Sequence, residues 1–173
     1  MTPGRPFLPA LTMRRYQFLI VAGVVLLDRI SKLLVIRNIP LGREVSIIPG
    51  LFQLSHWENT GAAFSIFADS VSPWRTAGLI AFSTTAVAVV SVLLWKGGPA
   101  LNATSAALSL IMGGALGNLW DRLAAGTVTD FLDFFIGEHH WPPFNVADSA
   151  IVIGALLLMF KVLFPPRHGK SAC

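Results

Sequence analysis

Four stretches of this chain are long and apolar enough to cross a bilayer, which takes about 20 mostly apolar residues, and three of them carry acidic or amide side chains. The stretches run roughly Tyr16 to Ile36, Thr76 to Trp95, Leu101 to Leu119 and Val146 to Phe164. Asp28 lies inside the first, Asn118 and Asp121 at the end of the third, and Asn145 and Asp148 at the start of the fourth. Asp130 sits between the last two, in Val128-Thr129-Asp130-Phe131. A carboxylate in a lipid-facing helix is costly, so an ionisable group at such a position is a functional-site hypothesis by default.

Only 13% of the 173 residues are charged and 54% are hydrophobic, where a soluble domain carries about 25% charged residues. The chain reads as one integral membrane domain covering residues 1–173. The net charge of +4 does not point to nucleic acid, because no basic patch is interleaved with aromatics and the basic residues flank the apolar runs. The single cysteine, Cys173, ends the chain and excludes an intrachain disulfide. Arg14 and Arg15 before an apolar run resemble the start of a signal peptide, but no small-residue cleavage site follows, so the run reads as a retained first span.

Arg5, Arg14, Arg15, Lys96, Lys161, Arg167 and Lys170 fall on one side of four such spans. That side is expected to be cytoplasmic, with both termini there. Trp57, Trp74, Trp120 and Trp141 would form an aromatic belt at the outer interface. The first long outer connection holds Val45-Ser46-Ile47-Ile48 and Leu51 to Trp57, β-rich runs separated by the turn signal Pro49-Gly50. They predict a small extracytoplasmic sheet, with a short interfacial helix over Ala62 to Ala68. The fold expected is thus an all-α membrane protein of four transmembrane helices, with a small β-cradle and a short interfacial helix.

The polar residues converge at one depth. Asp28, Asn118, Asp121, Arg122, Asn145 and Asp148 all fall at the outer ends of spans, and Asn59 and Asp130 in the outer loops; the inner ends hold no comparable set. Asn118, Asp121 and Arg122 stand at i, i+3 and i+4 on one helix face, and Asn145 and Asp148 at i and i+3 on another. Two carboxylates that cannot both ionise can activate water and protonate a leaving amine. Spacing alone does not choose between Asp130 and Asp133 as a member of such a pair. Adjacent Ser31 and Lys32 point about 100° apart on a helix and make a poor serine–lysine pair, while His139, His140 and Glu138 form no recognisable metal pattern. A small proton-coupled transporter is the alternative, but a relay needs polar groups through the full depth of the membrane. A lipid-binding scaffold would tolerate loss of the carboxylates.

Five motifs, in order and spacing, resemble the bacterial lipoprotein signal peptidase (signal peptidase II) family over nearly the whole chain. They are Asp28-Arg29-Ile30-Ser31-Lys32, Glu58-Asn59-Thr60-Gly61-Ala62-Ala63-Phe64-Ser65, Gly113 to Arg122, Val128-Thr129-Asp130-Phe131 and Phe144 to Ala150. The segments before Met13 and after Phe164 match nothing. The resemblance implies an aspartic endopeptidase of the bacterial cytoplasmic (inner) membrane, multi-pass, with its active site near the outer face. It would cut prolipoproteins before a diacylglyceryl-modified cysteine, as a monomer, surrounded by membrane lipid and with no metal or organic cofactor. The catalytic pair carries over to Asp130 and Asp148. Asn59, Gly114, Asn118, Arg122 and Asn145 are expected to bind substrate or support the pair, and Asp28, Lys32 and Asp121 to be structural beside it. Asp133, Glu138 and the two histidines read as solvated loop groups.

Overall fold

The computed structural model describes residues 10–61 and 73–164. Four helices and a four-stranded antiparallel sheet make up this part. In chain order they are α1 (Ala10–Asn38), β1 (Glu44–Ile48), β2 (Phe52–Asn59), α2 (Pro73–Lys96), α3 (Ala103–Ala125), β3 (Val128–Ile136), β4 (His139–His140) and α4 (Val146–Leu163). The expected helix over Ala62 to Ala68 lies outside the described residues.

Local sequence explains where the helices begin and stop. Proline is tolerated in a first helical turn, where its missing N–H has no partner to lose, and α2 starts at Pro73. Asn102 caps α3 by accepting from the Ser105 N–H, and the Ser105 hydroxyl accepts in return from the Asn102 N–H. Gly126, with φ 79°, ends α3 in the left-handed conformation that glycine adopts without strain. The third apolar run was expected to end at Leu119, yet α3 continues to Ala125. The polar residues Asp121 and Arg122, which read as a boundary, are paired with side chains of α1 and α2. Asn145 caps α4 in a second reciprocal box with Asp148.

On length and composition, α2 (from Trp74) and α4 can cross a membrane, with mean hydropathies of 2.2 and 2.1. The charges of α1 and α3 lower their average; among them Arg29 and Lys32 of α1 meet Asp121 of α3. α3 is the central helix and packs against α1, α2 and α4. A Cβ on Gly114 would fall 2.3 Å from the Ala147 carbonyl oxygen, and one on Gly117 would fall 2.7 Å from Asp28 Oδ2. Small residues there let three helices close on one point.

The sheet has the order β1-β2-β3-β4: the protein is mostly helical with a small antiparallel sheet, as expected, and β3 and β4 extend it beyond the runs read from Val45 to Trp57. β1 and β2 turn at Pro49-Gly50 as expected, with Ser46 opposite Gln53 and Ile48 opposite Phe52. β2 then pairs with β3, Leu54 opposite Leu132 and Trp57 opposite Asp130, across an irregularity between them. A cluster of Val35, Ile39 and Phe131, joined by Leu54, Leu132 and Val146, fixes the sheet on the end of α1 and the start of α4. The sheet therefore carries Asp130 to the beginning of α4, where Asp148 stands.

Candidate active site

Asp130 is a central residue of β3 and is 3% exposed. Its two carboxylate oxygens accept from different elements: Oδ2 from Asn59 Nδ2 on β2 at 2.8 Å, and Oδ1 from Asn145 Nδ2 at 2.7 Å. The Asn59 side chain is itself held, because its Oδ1 accepts the Gly61 N–H at 2.7 Å. Burial pushes the Asp130 carboxyl up to about 6; the Asn59 amide bond opposes the rise, the Asp148 charge adds to it, and the Asn145 bond opposes it again.

Asp148 is the third residue of α4. Its Oδ2 accepts the Asn145 backbone N–H at 3.3 Å and its Oδ1 accepts Asn118 Nδ2 at 2.7 Å. A carboxylate at this position also meets the positive end of the helix dipole. Asn145 thus touches both acids, Asp130 through its side-chain amide and Asp148 through its backbone, while its Oδ1 accepts the Asp148 N–H at 2.9 Å. It is fully buried.

Beneath this pair lies a charged cluster. Lys32 and Asp28 are both fully buried and pair at 2.8 Å, one helical turn apart on α1. Lys32 Nζ also donates to Asn118 Oδ1 at 3.3 Å and lies 2.6 Å from Asp121 Oδ2, an ionic contact without hydrogen-bond alignment. An ammonium donates only, so Lys32 determines which way the Asn118 amide points: oxygen to the lysine, NH2 to Asp148. Asp28 Oδ1 accepts the Ala147 N–H at 2.9 Å and ties the first turn of α4 to α1. Asp121 pairs with Arg29 as well.

The residues singled out from sequence divide accordingly. Asp130, Asp148, Asn59, Asn118 and Asn145 form one hydrogen-bonded set, and Asp28, Lys32 and Asp121 support it. Arg122 does not bond to either of the paired acids; its Nη1 donates to Ser83 Oγ on α2 and to the Asn118 carbonyl, both at 3.4 Å. Gly114 meets the backbone of α4, so its contact is with the element that bears Asp148.

Asp133 is not the solvated group it was expected to be. It is 3% exposed, accepts Gln53 Nε2 at 2.7 Å and lies 2.9 Å from His140 Nδ1. Three residues apart on a strand, Asp130 and Asp133 point to opposite faces, which gives them separate partners. Sequence reasoning also missed Arg29 and Glu58. The Glu58 carboxylate accepts from Thr127 Oγ1, and from Thr129 Oγ1 at 3.0 Å, and lies 3.4 Å from His56 Nε2. That clamp joins β2 to β3 beside Asn59 and Asp130. Glu58 stands in the same motif as Asn59, which was the signal available. Among the described residues, no three His, Cys, Asp or Glu side chains are grouped as ligands for one cation.

A helical bundle bearing a small sheet is also the fold of proteins described as a bacterial membrane enzyme. Two solved structures described in those words share it, with TM-scores of 0.77 and 0.76 and 27% identity, covering 91% and 87% of this chain and 94% of each of theirs. Residues 20–164 match the family described as Signal peptidase (SPase) II, and the chain belongs to that family, one of membrane proteases. Relatives named lipoprotein signal peptidase include those of Solibacter usitatus, 43% identical over 88% of this chain and 93% of theirs, and Klebsiella aerogenes, 39% identical over 88% and 92%. That of Geobacter sulfurreducens is 43% identical over 86% and 92%.

Proposed function

We propose that this chain is an aspartic endopeptidase that removes the signal peptide from bacterial prolipoproteins, cutting before a diacylglyceryl-modified cysteine, with Asp130 and Asp148 as its catalytic pair. Family and relatives support the substrate class. The observation that carries the pair is Asn145, which donates to one acid from its side chain and to the other from its backbone.

Asp148, which accepts two N–H donors at the start of α4, takes the part of the base. Asp130, raised by burial, holds the proton. Asp148 takes a proton from a water whose oxygen attacks the scissile carbonyl carbon. Asp130 donates its proton to the carbonyl oxygen. The tetrahedral species collapses as Asp148 passes its proton to the leaving amine of the cysteine and Asp130 recovers its own. Such acid–base work needs the two groups held at different proton affinities. The acyl chains of the substrate lie in the bilayer between helices, and binding energy from them positions the peptide bond.

On this reading all four helices span the cytoplasmic membrane as one domain, both termini inside, with the sheet and the pair at the outer face. The exposed Trp57, Trp74, Trp120 and Trp141 support that depth. On this reading the chain acts as a monomer. Nothing in the family or its relatives favours a transporter.

The test is cleavage of a purified prolipoprotein, with and without its diacylglyceryl group, by wild type, Asp130→Asn and Asp148→Asn. Cleavage of the lipidated form alone, lost in both variants at unchanged thermal stability below about pH 4, is expected. Near-normal turnover by Asp130→Asn would sink the assignment.

A further inference from the structure

We propose that the groove between α1 and α2, at the end of the bundle remote from Asp130 and Asp148, binds an anionic phospholipid of the surrounding membrane. Its phosphate sits on Arg14 and one acyl chain runs along the groove. The proposal is independent of the chemistry of the acid pair.

Among the described residues α1 and α2 each pack on α3, while their own backbones do not approach closely. The opening between them has a volume of about 450 Å³. Phe18 and Val21 form one wall, Val87 and Leu94 the other, and Met112 and Leu116 of α3 the floor. The two polar side chains in it are already satisfied. Ser91 Oγ donates to the Val87 carbonyl at 2.8 Å. Gln17 Nε2 donates to the Gly98 and Ala100 carbonyls at 3.1 and 3.3 Å, which also ties α1 to the α2–α3 turn and fixes the mouth. An apolar channel open to lipid is left, with no polar group requiring water.

The mouth is cationic. The Arg14 guanidinium lies 4.4 Å from the centre of the Trp95 ring, a cation–π contact that holds it at the entrance. Arg15 and Lys96 stand next to these two residues in the chain. No acidic side chain precedes Asp28, follows Asp148 or falls between Asp69 and Asp121. The cations at this end therefore have no acidic side chain of their own segments to pair with, and a phosphate supplies the missing charge. Basic pockets between membrane helices bind anionic headgroups for this reason.

Charge and size select the occupant. The leading segment of a signal peptide is positively charged and would be repelled by Arg14. A 20-residue helix, about 10 Å across and 30 Å long, encloses on the order of 2,400 Å³, several times the groove. A single acyl chain fits it, and its charge partner is at the mouth. The bound chain would brace α2, whose Ser83 receives Arg122.

Native mass spectrometry of the full detergent-purified chain tests this, with phosphatidylglycerol, phosphatidylcholine and the chain-free headgroup glycerophosphoglycerol as probes. Wild type is expected to retain one phosphatidylglycerol in preference to phosphatidylcholine. Arg14→Gln should weaken that binding about fivefold and erase the preference. Ser91→Phe, which fills the groove from an exposed position, should abolish retention while thermal stability holds. Asp148→Asn should retain the lipid like wild type, so a failed acid pair and a failed lipid site are distinguishable. Equal retention of both lipids, or undiminished binding by Arg14→Gln, would overturn the proposal. So would glycerophosphoglycerol binding as tightly as the whole lipid, or a signal peptide displacing it.

Discussion

Replacing Lys32 by methionine should be among the most damaging single changes in the chain, and its cost can be worked from the contacts. The ammonium is fully buried, bonds Asp28 at 2.8 Å, lies 2.6 Å from Asp121 and orients Asn118 at 3.3 Å. Methionine fills the space of the stem but leaves Asp28 without a cation, while Asp121 retains Arg29. Breaking a buried pair from one side costs about 3–5 kcal/mol. In a chain of this size each kcal/mol lowers Tm by about 2–4 °C, so Tm should fall by about 6–20 °C. The Asn118 amide is also freed, and a hydrogen bond to a charged group contributes about 1.5–3 kcal/mol. If Asp148 loses that much in the transition state, kcat falls about 10- to 100-fold. Thermal unfolding in detergent and single-turnover cleavage read the two effects separately. The double variant Asp28→Asn/Lys32→Met should regain part of the lost stability, because the amide oxygen can still accept the Ala147 N–H and no unpaired carboxylate remains. It should not regain the lost rate. A Tm shift under about 3 °C in Lys32→Met, or a double variant no more stable than the single one, would refute this account of the cluster.

Because the Asp130 carboxyl is raised to about 6 in the fold, from an ordinary value near 3.8, the folded state holds that proton more tightly than the unfolded one. The associated stability is complete at pH below about 4 and lost as pH rises through 6; Asp130→Asn should remove that dependence from Tm measured between pH 4 and 8. If Asp130 is the proton-bearing acid, kcat/KM should decline as pH rises through about 6, and Asn59→Ala should move that limb to higher pH; a limb that stays in place would separate it from Asp130. Gly114→Ala puts a methyl group against the Ala147 carbonyl and should cost about 1–3 kcal/mol, with a fall in kcat as α4 is displaced, measured by denaturation and turnover together. Asn145→Ser keeps the helix cap but loses the amide bond to Asp130, so stability should change by under about 1 kcal/mol while cleavage drops; equal losses in Asn145→Ser and Asn145→Ala would show that only the cap matters.

The apolar runs were legible because lipid-length hydrophobicity is a local property: α4 was expected over 146–164 and is Val146–Leu163, and α2 was expected over 76–95 and is Pro73–Lys96. The end of α3 was not, because Asp121 looks like a boundary until Arg29 and Lys32, some 90 positions earlier, are seen beside it. β3 was not read as a strand; Val128 to Phe131 stood only as a short segment of the outer loop that carries Asp130. Its buried positions include Thr129, Asp130 and Asp133, which break the apolar alternation that announces a strand. For the same reason Asp130 and Asp133 were indistinguishable by composition and spacing, and the family motif alone favoured Asp130. The convergence of polar residues at one end was readable from sequence. The direction of the Asn118 amide was not, since it depends on a lysine from another helix.

The contact between Asp28 and the Ala147 N–H joins residues 119 positions apart, and Asn59 meets Asp130 across 71. During synthesis, then, Asn59 can meet Asp130 once β3 is made, but the Asp28 bond to Ala147 waits for the last helix to emerge. A nascent chain stopped at β4 has Asp130 but neither Asn145 nor Asp148, and so only half of the proposed pair. With Asp130 and Asp148 as the proposed pair, proteolytic competence would arrive with the final segment, and an unfinished copy would stay inert during membrane insertion.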